Sequence, residues 1–539
     1  MMPTGYQIIK TLYHKAFQNI FAQMSNRSPD ILFQLVKSLE KAEKRHFKLY
    51  IKRSSGNEDL KIVRLFDALD KASGYDEKWL LKKIPGVTKP QLANLKTHLY
   101  KQLLASLRLL KSNDSLDLQL SEQFDYAHIL YKKGLFQQSL RILDRAKEIA
   151  KANQKFNFLP QAISLEKRIE GLHITRSMQD RAEILSAEAN EVSRHIDIVA
   201  RLSNIALKLY SWYIKHGHAR NEEDEKDVRQ FMKESLPADV WTQTGFYERL
   251  YLYQSYSWYA FIRQDFIQYY RHAQKWVDLF NEQPLMIRVE TGHYIKGLHN
   301  LMNAHFDLRN YRQFEITLNY FEKFALTARV KDHDNFRIQT FIYITIARIN
   351  QHFMLGTFKQ GLALIPGIEE KLENYAIFID SHRVLVLNYK IAMLYFGSGD
   401  YNRCIDYLQA IINEKTDLRY DLQCYARLLH LMAHYELGND MLMESLSKSV
   451  YRFMAKMDTL TVIEEAMFRF LRHSIPLSPR QLKPELEKFL HDIKHLEKNR
   501  FETRSFAYLD IISWVEGKVY NKPMGTVIQE KYLLSKRRK

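Results

Sequence analysis

The sequence predicts an all-α chain: an α-solenoid of antiparallel helical hairpins behind a basic all-helical N-terminal module. Three observations predict it. Short copies of one hairpin design recur, best seen in YKKGLFQQSLRILDRA (131–146) and YFGSGDYNRCIDYLQAI (395–411). Proline is scarce, with Pro366 alone between Met286 and Ile475, so little interrupts helices there. Apolar residues return at helical rather than alternating spacing. A hairpin with one apolar stripe cannot bury it alone and must stack on neighbours. The 539 residues also exceed what one compact core of about 250–300 residues organises, a limit that a repeat array escapes.

In chain order, residues 1–27 form a basic segment that carries no fold argument, and a translation start at Met24 rather than Met1 suits the capping residues Ser28 and Asp30. From Pro29, the apolar residues Leu32, Leu35, Val36, Leu39 and Ala42 share one helical face. SSGNED (54–59) is a turn, and Leu60–Lys71 a second helix. SGYDEK (73–78) opens a short third helix holding Trp79, Leu80, Leu81 and Ile84, which PGVT (85–88) ends. Thr88 caps a long helix with Pro90 in its first turn and Leu92, Leu95, Leu99 and Leu103 on one face. These elements make up the basic module 28–112.

Hairpins then fill 113–473. The acidic run NEEDEKD (221–227) reads as a solvated loop within them. Three prolines in SIPLSPRQLKPE (474–485) end the regular pattern. Residues 474–520 read as capping helices, with FAYLDIISWVEG (506–517) apolar enough to pack on the array. Residues 521–539 read as a loose basic tail.

The net charge of +18 lies at the two ends. Residues 28–112 hold 18 Lys and Arg against 9 Asp and Glu, and 531–539 hold five basic residues and no acid. The 418 residues from 113 to 530 are left with a net charge of only one, so the hairpin body does not attract polyanions by bulk charge. Cys404 and Cys424 form no C-x-x-C pair, which argues against a thiolate metal site or a disulfide framework and fits a reducing, cytoplasmic setting. No apolar run reaches the roughly 18 residues of a membrane helix, so no membrane association is expected.

The hairpins share a turn. Gly134 is followed by Phe136, Ser139, Leu140, Leu143 and Ala146; Gly399 by Tyr401, Cys404, Ile405 and Leu408; Gly356 by Phe358, Gly361, Leu362 and Ile365. Glycine permits a tight reversal, the aromatic residue wedges the two helices, and the small residue lets them approach. This resembles the tetratricopeptide repeat family, best at 127–150, 347–368 and 392–411. The match weakens where Asp440 replaces the aromatic after Gly438, and where glycine is missing in RQDFIQYY (263–270) and LRNYRQFE (308–315). Spacings across Gln264, Arg309, Gly356, Gly399 and Gly438 are 45, 47, 43 and 39 residues, longer than the family's repeat of about 34. The resemblance implies a superhelix that displays a binding surface, with no chemistry attached.

Two sets of candidate site residues follow. Between Phe246 and Phe280, 13 of 35 residues are aromatic, and Tyr253, Tyr256, Trp258, Tyr259, Tyr269 and Tyr270 are the candidate lining of a protein-binding groove. The competing reading is that bulk fills hairpins that lack their glycine. Residues 77–111 also read as a helix-turn-helix in which Lys89, Gln91, Asn94, Lys96 and Lys101 face a major groove and Lys82 and Lys83 flank the backbone. Here the competing reading is a module that packs on the first hairpin. HGH (216–218) and HDIKH (491–495) lack a third ligand or a positioned Glu, and read as turn and surface histidines. No catalytic, cofactor or metal constellation can be assembled from spacing. The expectation is therefore a non-enzymatic, cytoplasmic scaffold or adaptor that binds a protein partner through its hairpins. The alternative is a nucleic-acid-associated regulator acting through residues 28–112.

Overall fold

A computed structural model describes residues 30–536, except 54–56, 113, 174–179, 239, 241–244, 377, 415–419, 457–459, 476, 500 and 503–508. Among the described residues the chain is all-helical, without strands. It divides into two compact units, 1–196 and 197–539.

The first unit opens with α1 (Ile31–Ser38), α2 (Lys41–Arg53), α3 (Asn57–Lys71), α4 (Glu77–Lys83) and α5 (Lys89–Lys111). The helix expected from Pro29 is broken in two. Asp30 accepts from the Phe33 amide and starts α1, Leu39 turns extended, and the Glu43 carboxylate accepts from the Glu40 amide to start α2. Asp76 caps α4, and Gln91 Oε1 accepts from the Thr88 amide at the start of α5. Val36, Phe47, Ile62, Phe66, Leu69, Leu99 and Leu103 close one core, in which the Phe47 and Phe66 rings lie 4.9 Å apart. A second core gathers α6 (Leu116–Lys132), α7 (Phe136–Ala152), α8 (Leu159–Leu172) and the start of α9 (Arg181–His216). Within it, buried Glu166 accepts from Lys147 (2.7 Å) and from Arg181, while Lys147 and Lys151 both reach Glu188 (2.9 and 2.6 Å). Burial alone would raise the Glu188 carboxyl, but the two lysines outweigh it and hold it below its usual range.

The second unit continues from α9 through α10 (Glu222–Ser235) to the pairs α11 (Phe246–Ile262) with α12 (Phe266–Glu282), and, after α13 (Pro284–Val289), α14 (Thr291–Asp307) with α15 (Tyr311–Ala325). After α16 (Ala328–Lys331), α17 (Asp334–Leu355) is followed by α18 (Phe358–Gly361) and α19 (Ile365–Asn374). Next come α20 (Ser381–Ser398) with α21 (Tyr401–Ile412), α22 (Tyr420–Glu436) with α23 (Asp440–Lys456), and α24 (Val462–Ser474) with α25 (Pro479–Lys494). First helices also pack on the first helices that follow: α14 on α17, α17 on α20, and α20 on α22.

The acidic run is not a loop. Asn221 caps α10, the acids fill its first turn, and the partial positive charge of a helix N-terminus favours them there. Glu225 is buried, where Arg263 and Arg229 pair with it (2.7 and 3.0 Å).

One turn geometry recurs whether or not glycine is present. Gln264, Arg309, Gly356, Gly399 and Gly438 all have positive φ, from 52° to 90°, as does Gly134. The amide after each donates to the carbonyl five residues back: Asp265 to Ala260, Asn310 to His305, Thr357 to His352, Asp400 to Tyr395, Asn439 to His434 and Leu135 to Leu130. This is the Schellman helix stop. Where glycine is missing, the small residue is missing too: Tyr269 and Phe314 take the place held by Ser139, Gly361 and Cys404, and both are buried.

The C-terminal segment carries α26 (Ile511–Val519) and α27 (Met524–Leu534), so the tail expected to be loose after Asn521 contains a helix. It packs on α17 so closely that Gly356 and Gly525 touch backbone to backbone: a Cβ on Gly525 would lie 2.6 Å from the Gly356 carbonyl oxygen. Tyr532 meets Tyr311 edge-on at 4.7 Å, and Lys531 pairs with Glu516 (2.7 Å). Among the described residues no helix is long and apolar enough to cross a membrane.

Candidate functional site

Several helices of the second unit converge on a cavity of about 180 Å³. Helical spacing explains who faces it. His299, Asn303, Phe306 and Asp307 form one stripe of α14, Ile346 and Asn350 one of α17, and Val386, Tyr389 and Lys390 one of α20. Tyr213 at the end of α9, His218 just after it, Phe261, Phe266 and Leu422 complete the wall. A smaller cavity of about 30 Å³ shares Phe306, Tyr389 and Lys390 and is bounded by Asp510, Met524 and Ile528 of the C-terminal segment.

The polar lining is unevenly satisfied. The Lys390 ammonium donates to Asn350 Oδ1 at 2.8 Å and lies over the Phe306 and Phe353 rings at 5.4 and 5.2 Å. His299 stacks on Tyr343 at 3.9 Å, with Nε2 3.2 Å from Asn303 Nδ2, and its Nδ1 is buried without a partner. Burial holds this imidazole well below its usual range, and hence neutral. His218 Nδ1 lies 2.8 Å from the Phe261 carbonyl and so acts as the donor. Asp307, like His299, is left unsatisfied. Its Oδ2 is shut off from solvent and receives no hydrogen bond. Burial pushes this carboxyl up to about 7, against the weaker downward pull of Arg309 and Lys390.

The predicted aromatic residues do not gather on one surface. Tyr269 is buried and donates to Asn300 Oδ1 (3.0 Å) inside the hairpin, and burial raises its phenol well above the usual value. Tyr256 stacks on His272 at 4.7 Å, Arg263 lies over Tyr259 at 4.8 Å, and Tyr270 meets His305 at 5.3 Å. Tyr253 is half-buried. Trp258 touches Tyr213, a cavity residue, and lies under Lys296, which also covers Tyr343. Of the six, Tyr269 and Trp258 both touch the cavity wall, Tyr269 through Phe261 at 4.9 Å and Trp258 through Tyr213 at 5.5 Å.

Of the candidate nucleic-acid contacts, Lys82, Lys83, Lys89, Gln91, Asn94 and Lys101 are exposed. Lys89 pairs with Glu77 (3.3 Å), Lys83 lies over Trp79, and Gln91 is committed to its cap. Lys96 is half-buried between Asp30 and Tyr75. Burial would lower its ammonium, but those hydrogen bonds raise it.

Sequence reasoning missed His299, Asn303, Asp307, Asn350 and Lys390. The one available signal is that polar residues at i, i+4 and i+8 punctuate otherwise apolar first helices. Among the described residues no group of three or more metal-ligating side chains is present. Comparison with protein families, curated proteins and solved structures finds no match for this chain.

Proposed function

We propose that this chain is a non-enzymatic helical-repeat protein whose hairpins stack into a tetratricopeptide-like superhelix, and that it binds an extended segment of another protein at the cavity of its second unit. The observation that carries this reading is the set of polar residues lining that cavity, among them Asp307 and His299, each with a buried atom that receives no hydrogen bond. Buried polar atoms without partners are costly, so a ligand that supplies those bonds would recover that cost. An extended peptide offers N–H and C=O groups along its length, and the Asn303 and Asn350 amides each carry both a donor and an acceptor to meet them. The rings of Tyr213, Phe261, Phe266 and Phe306 suit an apolar side chain. The buried Cys404 thiol suits a reducing, cytoplasmic setting.

The test is affinity panning of random peptides on the full-length chain, with parallel selections on Asn303→Leu and Asn350→Leu. Peptides enriched on the natural chain and lost on both variants support the reading. Equal enrichment on all three removes the cavity as the binding site.

One observation favours the second reading, nucleic-acid contact through residues 28–112. Lys41, Lys44, Arg45, Lys48 and Lys52 share a face of α2, where Lys41, Arg45 and Lys52 are exposed. A gel shift that weakens steeply with salt and disappears in Lys41→Ala/Arg45→Ala/Lys52→Ala would support it.

A further inference from the structure

We infer that the cavity receives the N-terminal residue of the bound segment, with its α-ammonium against Asp307 and its first carbonyl facing Lys390. The inference rests on the peptide reading above and narrows it to one end of the ligand.

The argument begins with charge. Asp307 lines the cavity and its Oδ2 receives no hydrogen bond, and a buried carboxyl ionises readily only when a cation pairs with it. A backbone N–H offers only a neutral hydrogen bond, whereas a charged donor offers one roughly twice as strong. The missing partner is therefore a cation. Aromatic walls favour the same choice, because the faces of Tyr213, Phe261, Phe266 and Phe306 are electron-rich.

Two cations already stand near Asp307. Lys390 lines the cavity, and Arg309 lies over the Phe306 ring at 5.1 Å. A lysine side chain would bring a third cation with nothing to offset it. An N-terminal residue differs, because its ammonium is joined through one carbon to a carbonyl whose oxygen can accept from Lys390. The ammonium and carbonyl thus answer an acceptor and a donor that both line the site.

Size agrees. The cavity of about 180 Å³ is only a little larger than the cavities of about 150 Å³ that admit a benzene-sized group. That is space for one residue, not for a chain passing through. The neighbouring cavity of about 30 Å³, which shares Phe306, Tyr389 and Lys390, is too small to take a further residue. The same ammonium–carbonyl chemistry is offered by a free α-amino acid, and the test separates the two sources.

The experiment measures binding of short peptide pools, labelled at the C-terminus, to the full-length chain by fluorescence polarisation. One pool has a free N-terminus, one is N-acetylated, and one is N-acetylated with an internal lysine. Phenylalaninamide, followed by thermal shift, is the single-residue probe. The inference expects acetylation to weaken binding about 10- to 100-fold in the natural chain, the loss of one charged hydrogen bond. The difference should vanish in Asp307→Asn and persist in Asp307→Glu, and the internal lysine should not restore binding. Equal affinity of free and acetylated pools overturns the inference, as does a difference that survives Asp307→Asn or a rescue by lysine. Should peptides bind and depend on Asn350 without regard to acetylation, the peptide reading stands and the end assignment falls. Should only phenylalaninamide bind, in an Asp307-dependent manner, the α-ammonium site stands and the peptide reading falls.

Discussion

Replacing Gly525 by Ala tests how the C-terminal helix is held. Gly525 lies in α27 without positive φ, so alanine meets no backbone strain there and gains up to about 1 kcal/mol of helix propensity. Its Cβ would lie 2.6 Å from the Gly356 carbonyl oxygen and 3.3 Å from Phe358 Cδ2. The oxygen belongs to a backbone fixed by the turn after α17, so α27 must move. Moving it uncovers Met524, Val527 and Ile528, each buried in place and each worth about 1.5–3 kcal/mol if fully exposed. A shift rather than a full release exposes them only in part, so the expected net loss is about 2–5 kcal/mol of local stability. Gly399→Ala serves as the control: it imposes the strain of a positive φ (90°) with nothing within 4 Å of the new Cβ, and should cost about 1–2 kcal/mol without touching α27. Hydrogen exchange reads the difference directly. Amides of 524–534 should lose protection in Gly525→Ala and keep it in Gly399→Ala. A neutral or stabilised Gly525→Ala chain with α27 still protected would refute the packing argument.

Gln264→Gly should stabilise the chain by about 1–2 kcal/mol in urea unfolding, because it relieves a non-glycine φ of 57° and removes a buried side-chain amide nitrogen that has no partner. Glu166→Gln should destabilise the first unit by about 3–5 kcal/mol, since Lys147 and Arg181 would be left buried beside a neutral group; a loss below that range would mean Glu188 and Asp144 absorb both charges. Burial lowers His272, His305 and His430 to about 4, so the folded second unit binds fewer protons than the unfolded chain between there and 6.5. Its stability should be complete above that window and fall as pH drops through it, seen as a declining thermal midpoint. Asp307 acts in the opposite sense: its raised carboxyl loses stability as pH climbs from the ordinary carboxylate range towards 7, and Asp307→Asn should remove that arm alone.

Helices and their stripes were legible because burial imposes the 3.6-residue period directly on the letters, as in Leu92, Leu99 and Leu103. The break at Leu39 was not, because the apolar period runs across it while a side-chain cap from Glu43 restarts the helix. The acidic run was misread as a loop for a related reason: its charges look solvated in a string, yet one of them, Glu225, pairs with Arg263, 38 residues away. The cavity was least legible. Asn303, Asp307, Asn350 and Lys390 are ordinary polar residues until three helices bring them together, and only distance in the fold, not spacing in the chain, shows that relation. The aromatic density drew the eye instead. The most deeply buried of its six candidate groove residues, Tyr269, fills the place of a small residue in a hairpin without glycine.

The repeated stop at Gln264, Arg309 and the glycines is secured by main-chain groups, so its shape hardly depends on which side chain stands there. A chain bent in this way can change its alphabet at each corner and keep every corner. Kinship with other proteins of this construction is then better sought in the rhythm of left-handed residues, every forty or so positions, than in residue-by-residue likeness.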